Sequence, residues 1–148
     1  MELILWRHAE AEEGSPDHAR QLTEKGIRQA GKIAVFLHQH LPRDPRILVS
    51  PATRARQTVA AFTDHFTLAP TISPGASAEA VLQAARWPDA VGTVLIVGHQ
   101  PTLGEVAAQL LECDGRSLSI RKSALWWFSK RDNSSQTTLR LVITPDFL

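Results

Sequence analysis

Apolar residues follow two different spacings along this chain, and the spacing changes several times. Short continuous apolar runs, which are typical of buried strands, lie at 3–6, 46–49 and 93–97. Segments with an apolar residue at every third or fourth position, as in amphipathic helices, lie at 24–41, 51–66, 77–86 and 101–111. Because strands and helices alternate, the pattern predicts one α/β domain over 1–148. We expect a three-layer α/β/α sandwich with a mostly parallel central sheet.

Polar residues and prolines mark the expected beginnings of the helices. Thr23 is the predicted N-cap of the first helix, whose apolar stripe includes Ile27. Ser50 and Pro51 are predicted to be the N-cap and first residue of the second helix. Pro101 is predicted to occupy the first position of the last helix for the same reason. Each of these helices therefore starts directly after a strand or its loop.

The carboxyl-terminal part of the chain has a different pattern. The segments 123–129 and 137–144 are rich in aromatic and β-branched residues, which predicts a hairpin or two edge strands. Trp126 and Trp127 are adjacent and therefore point to opposite faces of a strand. We expect one indole in the core and one partly exposed. Earlier in the chain, a short strand is expected around 71–73.

Composition excludes several classes of function. The formal net charge of +1 and the absence of a basic run give no reason to expect nucleic acid or an anionic membrane as a partner. The single cysteine, Cys113, cannot form an internal disulfide. No apolar run is long enough to span a bilayer, and the first residues lack the features of a signal peptide. The expected location is the cytoplasm.

The most informative polar residues are Arg7 and His8, which follow the first apolar strand. An arginine offers a fixed fork of donors for phosphate or carboxylate, and an imidazole can act as a nucleophile. Taken alone, this dipeptide is better explained by a polar loop without chemistry, and the rest of the chain reverses that preference. His99 repeats the arrangement at the end of the run 93–97, and Arg54 lies in the first turn of the second helix. Arg54 is either exposed to water or placed there to bind an anion.

Ligands of open α/β sheets bind beyond the carboxyl ends of the strands. Three separate strand–helix junctions bring Arg7 with His8, Arg54, and His99 to that edge. Two arginines and two imidazoles together predict an anion pocket that contains a nucleophile.

Four motifs in this order resemble the histidine phosphatase superfamily, also called the phosphoglycerate mutase-like family. The motifs are LWRHAEA at 5–11, LTEKG at 22–26, VSPATRARQT at 49–58 and VGHQP at 97–101. The short chain, without a large helical insertion, is similar to the SixA-type branch of phosphohistidine phosphatases. The resemblance covers most of the chain and implies a phosphoglycerate mutase-like fold.

The resemblance also implies roles for individual residues. His8 would attack phosphorus and become a phosphohistidine intermediate, which water would hydrolyse. Arg7, Arg54 and His99 would bind the phosphoryl oxygens and stabilise the transition state, and Arg20 would assist binding. No metal and no cofactor would be needed, because the arginines supply the positive charge. The expected substrate is a phosphorylated protein or a small phosphorylated molecule.

The sequence departs from the family pattern in two places. Ala9 replaces the glycine of the family's Arg-His-Gly signature, so a positive φ is not expected there. The acid that protonates the leaving group stands in no diagnostic motif. Glu10, Glu79 and Glu105 are its candidates, although Glu79 is better explained as a helix-dipole partner in the first turn of its helix.

Two other functions remain open at this point. The first is a mutase-type phosphotransferase, against which the short chain argues, since little material is available to reorient a product. The second is a catalytically silent phosphate-binding protein. A catalytically silent protein would not need all four of the residues Arg7, His8, Arg54 and His99, so their presence argues against this function. The sequence therefore favours a metal-independent phosphatase that forms a covalent intermediate on His8.

Overall fold

The chain folds around a six-stranded sheet in a computed structural model that describes residues 1–113 and 115–148. The strands are β1 (Glu2–Arg7), β2 (Arg46–Val49), β3 (Thr67–Leu68), β4 (Thr93–Gly98), β5 (Leu125–Ser129) and β6 (Thr138–Ile143). The α-helices are α1 (Glu24–His40), α2 (Thr53–Ala60), α3 (Ala78–Ala85) and α4 (Thr102–Leu110). Short 3-10 helices lie at Asp17–Ala19, Pro70–Ile72 and Pro145–Phe147.

The strand order is β3-β2-β4-β1-β5-β6, with β1 and β4 at the centre. Strands β3, β2, β4 and β1 are parallel, whereas β5 and β6 are antiparallel to their neighbours. This arrangement confirms the mostly parallel sheet and the carboxyl-terminal hairpin. Trp127 is buried and Trp126 is only partly so, as their opposite directions predict.

Helices cover both faces of the sheet because the residues of the central strands alternate between them. Leu3 and Leu5 of β1 pack in one core with Val81 of α3 and Leu103 of α4. The opposite core joins the other β1 side chains to α1 and α2; it includes Ile4, Trp6, Ile33, Leu37, Ala55 and Val59. The predicted three-layer α/β/α sandwich is therefore confirmed.

Helix α1 buries a face that differs slightly from the predicted stripe. Thr23 is its N-cap, as expected, and accepts a hydrogen bond from the Gly26 amide at 2.9 Å. Gly26 lies at the centre of the buried face, where an added Cβ would come within 2.0 Å of the Glu10 carbonyl oxygen. The Ile27 side chain consequently falls at the margin and is 60% exposed, and Ile33 is buried instead. Only glycine permits this close approach of α1 to the loop after β1.

Four expected element positions are wrong, including the end of α2, which lies at Ala60 and not at 66. Helix α2 begins at Thr53 with Ala52 as its N-cap, because the Ser50 hydroxyl contacts His99 instead of capping the helix. Pro101 is the N-cap of α4, one position before the predicted one. The region around 71–73 contains a 3-10 helix, and β3 lies before it. Within the described residues, no helix is long and apolar enough to cross a membrane.

Candidate active site

The carboxyl ends of β1, β2 and β4 are neighbours in the sheet, and each is followed by a polar side chain. The first residue after β1 is His8, the first after β2 is Ser50 and the first after β4 is His99. All three are buried. The rings of His8 and His99 lie with their centroids 5.1 Å apart and tilted by 54°. The predicted meeting of the two histidines at one edge of the sheet is therefore confirmed.

The His8 imidazole is held in a defined orientation by the backbone. Its Nδ1 lies 2.7 Å from the carbonyl oxygen of Ala9. Since a carbonyl can only accept, Nδ1 carries the proton and Nε2 keeps its lone pair. Burial lowers the pKa of His8, the hydrogen bond to Ala9 acts in the opposite direction, and with the positive charges of Arg54, Arg7 and Arg20 the pKa is about 4. The ring is therefore neutral and unprotonated at Nε2 near neutral pH, which is the form a nucleophile requires.

Arg54 lies in the first turn of α2 and turns into the site. Its side chain is almost fully buried, and Nε donates a hydrogen bond to Nε2 of His8 at 3.3 Å. Arg56, two residues later, is exposed. The Thr58 hydroxyl accepts from the Ala9 amide at 3.0 Å and donates to the Arg54 carbonyl at 2.7 Å. Thr58 thereby ties the residue after His8 to the helix that carries Arg54.

Asp17 is a residue of the site for which the sequence reasoning had no role. Its carboxylate accepts from Arg54 Nη2 at 3.1 Å and from Arg20 Nε at 3.1 Å, and its carbonyl accepts from Arg54 Nη1 at 2.9 Å. Partial burial acts to raise the pKa of Asp17, but the hydrogen bonds and charges of Arg54 and Arg20 outweigh it and the pKa is lowered. Arg20 thus reaches the site through Asp17. An acidic residue three positions before an arginine was the available signal.

In His99, only one of the two ring nitrogens has a hydrogen-bond partner among the described residues. Nε2 of His99 lies 2.7 Å from the Ser50 hydroxyl, whereas Nδ1 is buried without a hydrogen-bond partner among the described residues. Burial lowers the pKa of His99 to about 3, with His8 and Arg54 contributing charge repulsion. An unpaired buried nitrogen is costly unless a ligand completes it. Ser50 was predicted to be a helix cap, so its contact with His99 was missed.

Arg7 is anchored by the loop that precedes β5. Its Nη1 donates to the Ile120 carbonyl at 2.9 Å, while Nε is buried and has no hydrogen-bond partner among residues 1–113 and 115–148. Burial lowers the pKa of Arg7, which nonetheless stays charged. The loop that supplies this carbonyl is tied to α4, since Gln100 donates to the Leu118 carbonyl at 3.0 Å and accepts from the Gly104 amide at 2.7 Å.

The candidate acids lie outside this cluster. The Glu10 carboxylate accepts from the Thr23 hydroxyl at 2.9 Å and pairs with Lys122 at 3.8 Å. Glu79 and Glu105 line a cavity beside α3 and α4 to which neither histidine contributes. In the described part of the chain, none of the three forms a hydrogen bond to His8 or His99. The described residues also contain no group of three or more His, Cys, Asp or Glu side chains suited to a metal ion.

This geometry agrees with comparisons to known proteins. Residues 3–77 match the model of the histidine phosphatase superfamily (branch 1), so the chain belongs to this family and is a phosphatase. It is similar to the phosphohistidine phosphatase SixA of Escherichia coli, with 30% identity covering 98% of this chain and 94% of that protein. It is also 35% identical to a SixA homolog of Haemophilus influenzae, over 74% of this chain and 77% of the relative.

A solved structure shows the same fold over the full length. The structure of the protein histidine phosphatase SixA complexed with tungstate superimposes with a TM-score of 0.81 and 25% identity, covering 99% of both chains. The α/β fold predicted from the sequence and its resemblance to the SixA-type branch are therefore confirmed.

Proposed function

We propose that this phosphatase hydrolyses phosphohistidine on a protein, through a covalent intermediate on Nε2 of His8. The observation that carries the proposal is the pair of contacts on the His8 ring. Nδ1 is held on the Ala9 carbonyl at 2.7 Å, and Nε2 faces Arg54 Nε at 3.3 Å. The unprotonated Nε2 of His8 therefore lies beside the guanidinium of Arg54, which can hold a phosphoryl oxygen.

The first step forms one bond and breaks another at phosphorus. The Nε2 lone pair of His8 attacks, and the electron pair of the substrate's P–N bond leaves with the substrate imidazole, which takes a proton from solvent. Arg54, the partnerless Nε of Arg7 and His99 bind the equatorial oxygens, where charge increases in the transition state. Arg20 is a further cation near the site and is linked to Arg54 by the Asp17 carboxylate, which accepts from both.

The second step returns the enzyme to its starting state. Water attacks phosphorus, the P–Nε2 bond breaks, and its electron pair returns to His8. The products are inorganic phosphate and a neutral His8 with the proton still on Nδ1. No cofactor takes part, and the charges that a metal would otherwise supply come from the arginines. A phosphorylated protein is the proposed partner, because the similar protein of Escherichia coli is the phosphohistidine phosphatase SixA and a similar solved structure is the protein histidine phosphatase SixA.

Leaving-group chemistry supports phosphohistidine over simple phosphate esters. An alkoxide is strongly basic and requires a positioned acid, whereas an imidazole or a phenolate requires much less help. Glu10 is bound to Thr23 and Lys122, and Glu79 lines a cavity without either histidine. We therefore propose that none of the three candidate acids, Glu10, Glu79 and Glu105, is essential for hydrolysis of phosphohistidine.

Trapping and a substrate panel test this proposal together. Intact-mass spectrometry in alkaline buffer, which preserves phosphohistidine, should detect one phosphoryl group on the wild-type protein and none on His8→Asn. The panel should give turnover of phosphohistidine peptides and aryl phosphates far above that of sugar phosphates. Glu79→Gln and Glu10→Gln should change phosphohistidine hydrolysis only modestly. If sugar phosphates were hydrolysed as fast and Glu79→Gln abolished that activity, a metabolite phosphatase would be the better conclusion.

A further inference from the structure

A cavity of about 680 Å³ opens beside the carboxyl end of β1, and Arg7, the residue before His8, forms part of its wall. The rest of the wall comes from the first turns of α1, the loop 119–122 and the segment 144–146. Its cationic residues are Arg7, Lys25, Arg28, Lys32, Arg121 and Lys122, and its acidic residues are Glu10 and Asp146. The whole chain has a formal net charge of only +1, so this basic cavity is a local concentration of positive charge.

Four of these cations are free to meet a partner. Lys25, Arg28 and Lys32 are spaced by three and four residues, so they share one exposed face of α1. Arg121 is exposed on the opposite wall. Within residues 1–113 and 115–148, none of these four lies within 4.0 Å of a carboxylate. Like charges that are gathered without counterions repel one another, so the cluster would be stabilised by an acidic ligand.

The acidic residues of the wall neutralise only part of the charge. Glu10 pairs with Lys122 at 3.8 Å. The pKa of Asp146 is lowered chiefly by the neighbouring Thr144 side chain and its own backbone, and the charges of Arg121 and Lys32 act in the same direction. Asp146 is exposed to solvent, so its charge offsets only part of the positive charge of the basic cavity.

The shape of the charge distribution favours a protein surface over a small anion. Lys25 to Lys32 span about 10 Å of helix, which exceeds the size of one phosphate. Their head groups end long flexible side chains, whereas small-molecule sites have mostly apolar walls and a few fixed polar groups. Dispersed exposed charges of one sign are instead typical of electrostatic docking between proteins.

We propose that the basic cavity docks an acidic segment that flanks the phosphohistidine of a protein substrate. This inference rests on the proposed function, because it places the reacting phosphorus at His8 and the flanking carboxylates on α1. Arg7 connects the two regions, since it lines the basic cavity and directly precedes His8. The selectivity would act through KM and through association rate, and it would weaken as salt screens the charges.

Synthetic peptides of equal length test the inference. A central phosphohistidine is flanked either by Asp and Glu or by Asn and Gln, and free phosphohistidine serves as the reference. At low salt the wild type should prefer the acidic peptide by about tenfold or more in kcat/KM. The triple variant Lys25→Gln, Arg28→Gln, Lys32→Gln should lose most of this preference, through KM, and should hydrolyse free phosphohistidine at an unchanged rate.

The control removes the same charge elsewhere on the surface. A triple variant Arg43→Gln, Arg116→Gln, Arg131→Gln should keep the preference for the acidic peptide, since these residues do not line the basic cavity. Equal kcat/KM for the two peptides in the wild type would overturn the inference while leaving the proposed function intact. Absence of hydrolysis of both peptides and of free phosphohistidine would instead reject the proposed function. A third outcome would assign the cavity to a small polyanion. In that case the wild type would bind tripolyphosphate tightly but show no preference between the peptides, and the first triple variant would lose the tripolyphosphate binding.

Discussion

Arg54 donates from Nε to Nε2 of His8 at 3.3 Å while its two other nitrogens donate to Asp17. The guanidinium thus joins the proposed nucleophile to a carboxylate of the loop after β1. A phosphoryl group attached to Nε2 would lie beside this guanidinium and would compete with Asp17 for its donors.

Arg54→Gln should lower kcat/KM for phosphohistidine by about a hundredfold or more, the loss expected when one transition-state donor is removed. Arg56→Gln is the matched control, because Arg56 lies two residues later, is exposed and bonds only to Thr53 within the described residues. Its kcat/KM should stay within about twofold of the wild type. Steady-state kinetics on both variants checks this, and equal losses would exclude Arg54 from the site.

Ser50→Ala should impair catalysis through His99. If the Ser50 hydroxyl donates to Nε2, the proton of the neutral His99 ring is on Nδ1, the buried nitrogen without a partner. That N–H can then donate to a phosphoryl oxygen. Ser50→Ala should weaken inhibition by vanadate and lower kcat together, and His99→Ala should do the same more strongly.

The double variant separates this coupling from a general loss of structure. If Ser50 acts through His99, Ser50→Ala in the His99→Ala background should have almost no further effect on kcat. Additive losses in the double-mutant cycle would contradict the assigned role of Ser50.

Asp17→Asn should strengthen binding of free anions. The substitution keeps the backbone carbonyl that accepts from Arg54, but it removes the negative charge shared between Arg54 and Arg20. We expect the inhibition constants of phosphate and vanadate to fall by roughly fivefold, because two cations lose their counterion. Asp64→Asn, on the exposed segment after α2, is the control and should leave both constants unchanged. Weaker anion binding in Asp17→Asn would mean that Asp17 positions Arg54 for the substrate.

The activity should persist into mildly acidic solution. The folded-state pKa of His8 is about 4, well below its ordinary value of 6.5, so His8 stays neutral until the pH approaches 4. The single-turnover rate of phosphoenzyme formation should therefore change little between about pH 7 and pH 5, where an ordinary histidine would already be protonated. Rapid-quench measurements across this range, with a substrate that does not titrate there, provide the check. A fall in rate on acidification centred near pH 6.5 would show that His8 titrates with its ordinary pKa and is not held neutral by its surroundings.

Much of this protein is determined by local sequence. The alternation of continuous apolar runs and helical stripes predicted the layers, because strands that are buried on both faces need helices on both sides. The residues after those runs predicted which side chains share the sheet edge. Arg7, His8 and His99 could be assigned to that edge because it depends only on strand direction.

Only the tertiary structure decided how these side chains are paired. The contact of Ser50 with His99 joins the ends of β2 and β4, which are distant in sequence, and it overrides the local preference of serine for a helix cap. The bond of Asp17 to Arg54 spans 37 positions, and the cations of α1 face Arg121 across a cavity that no spacing rule describes. Local patterns fix which way a side chain points along its own element, whereas partners from other elements depend on packing of the whole chain.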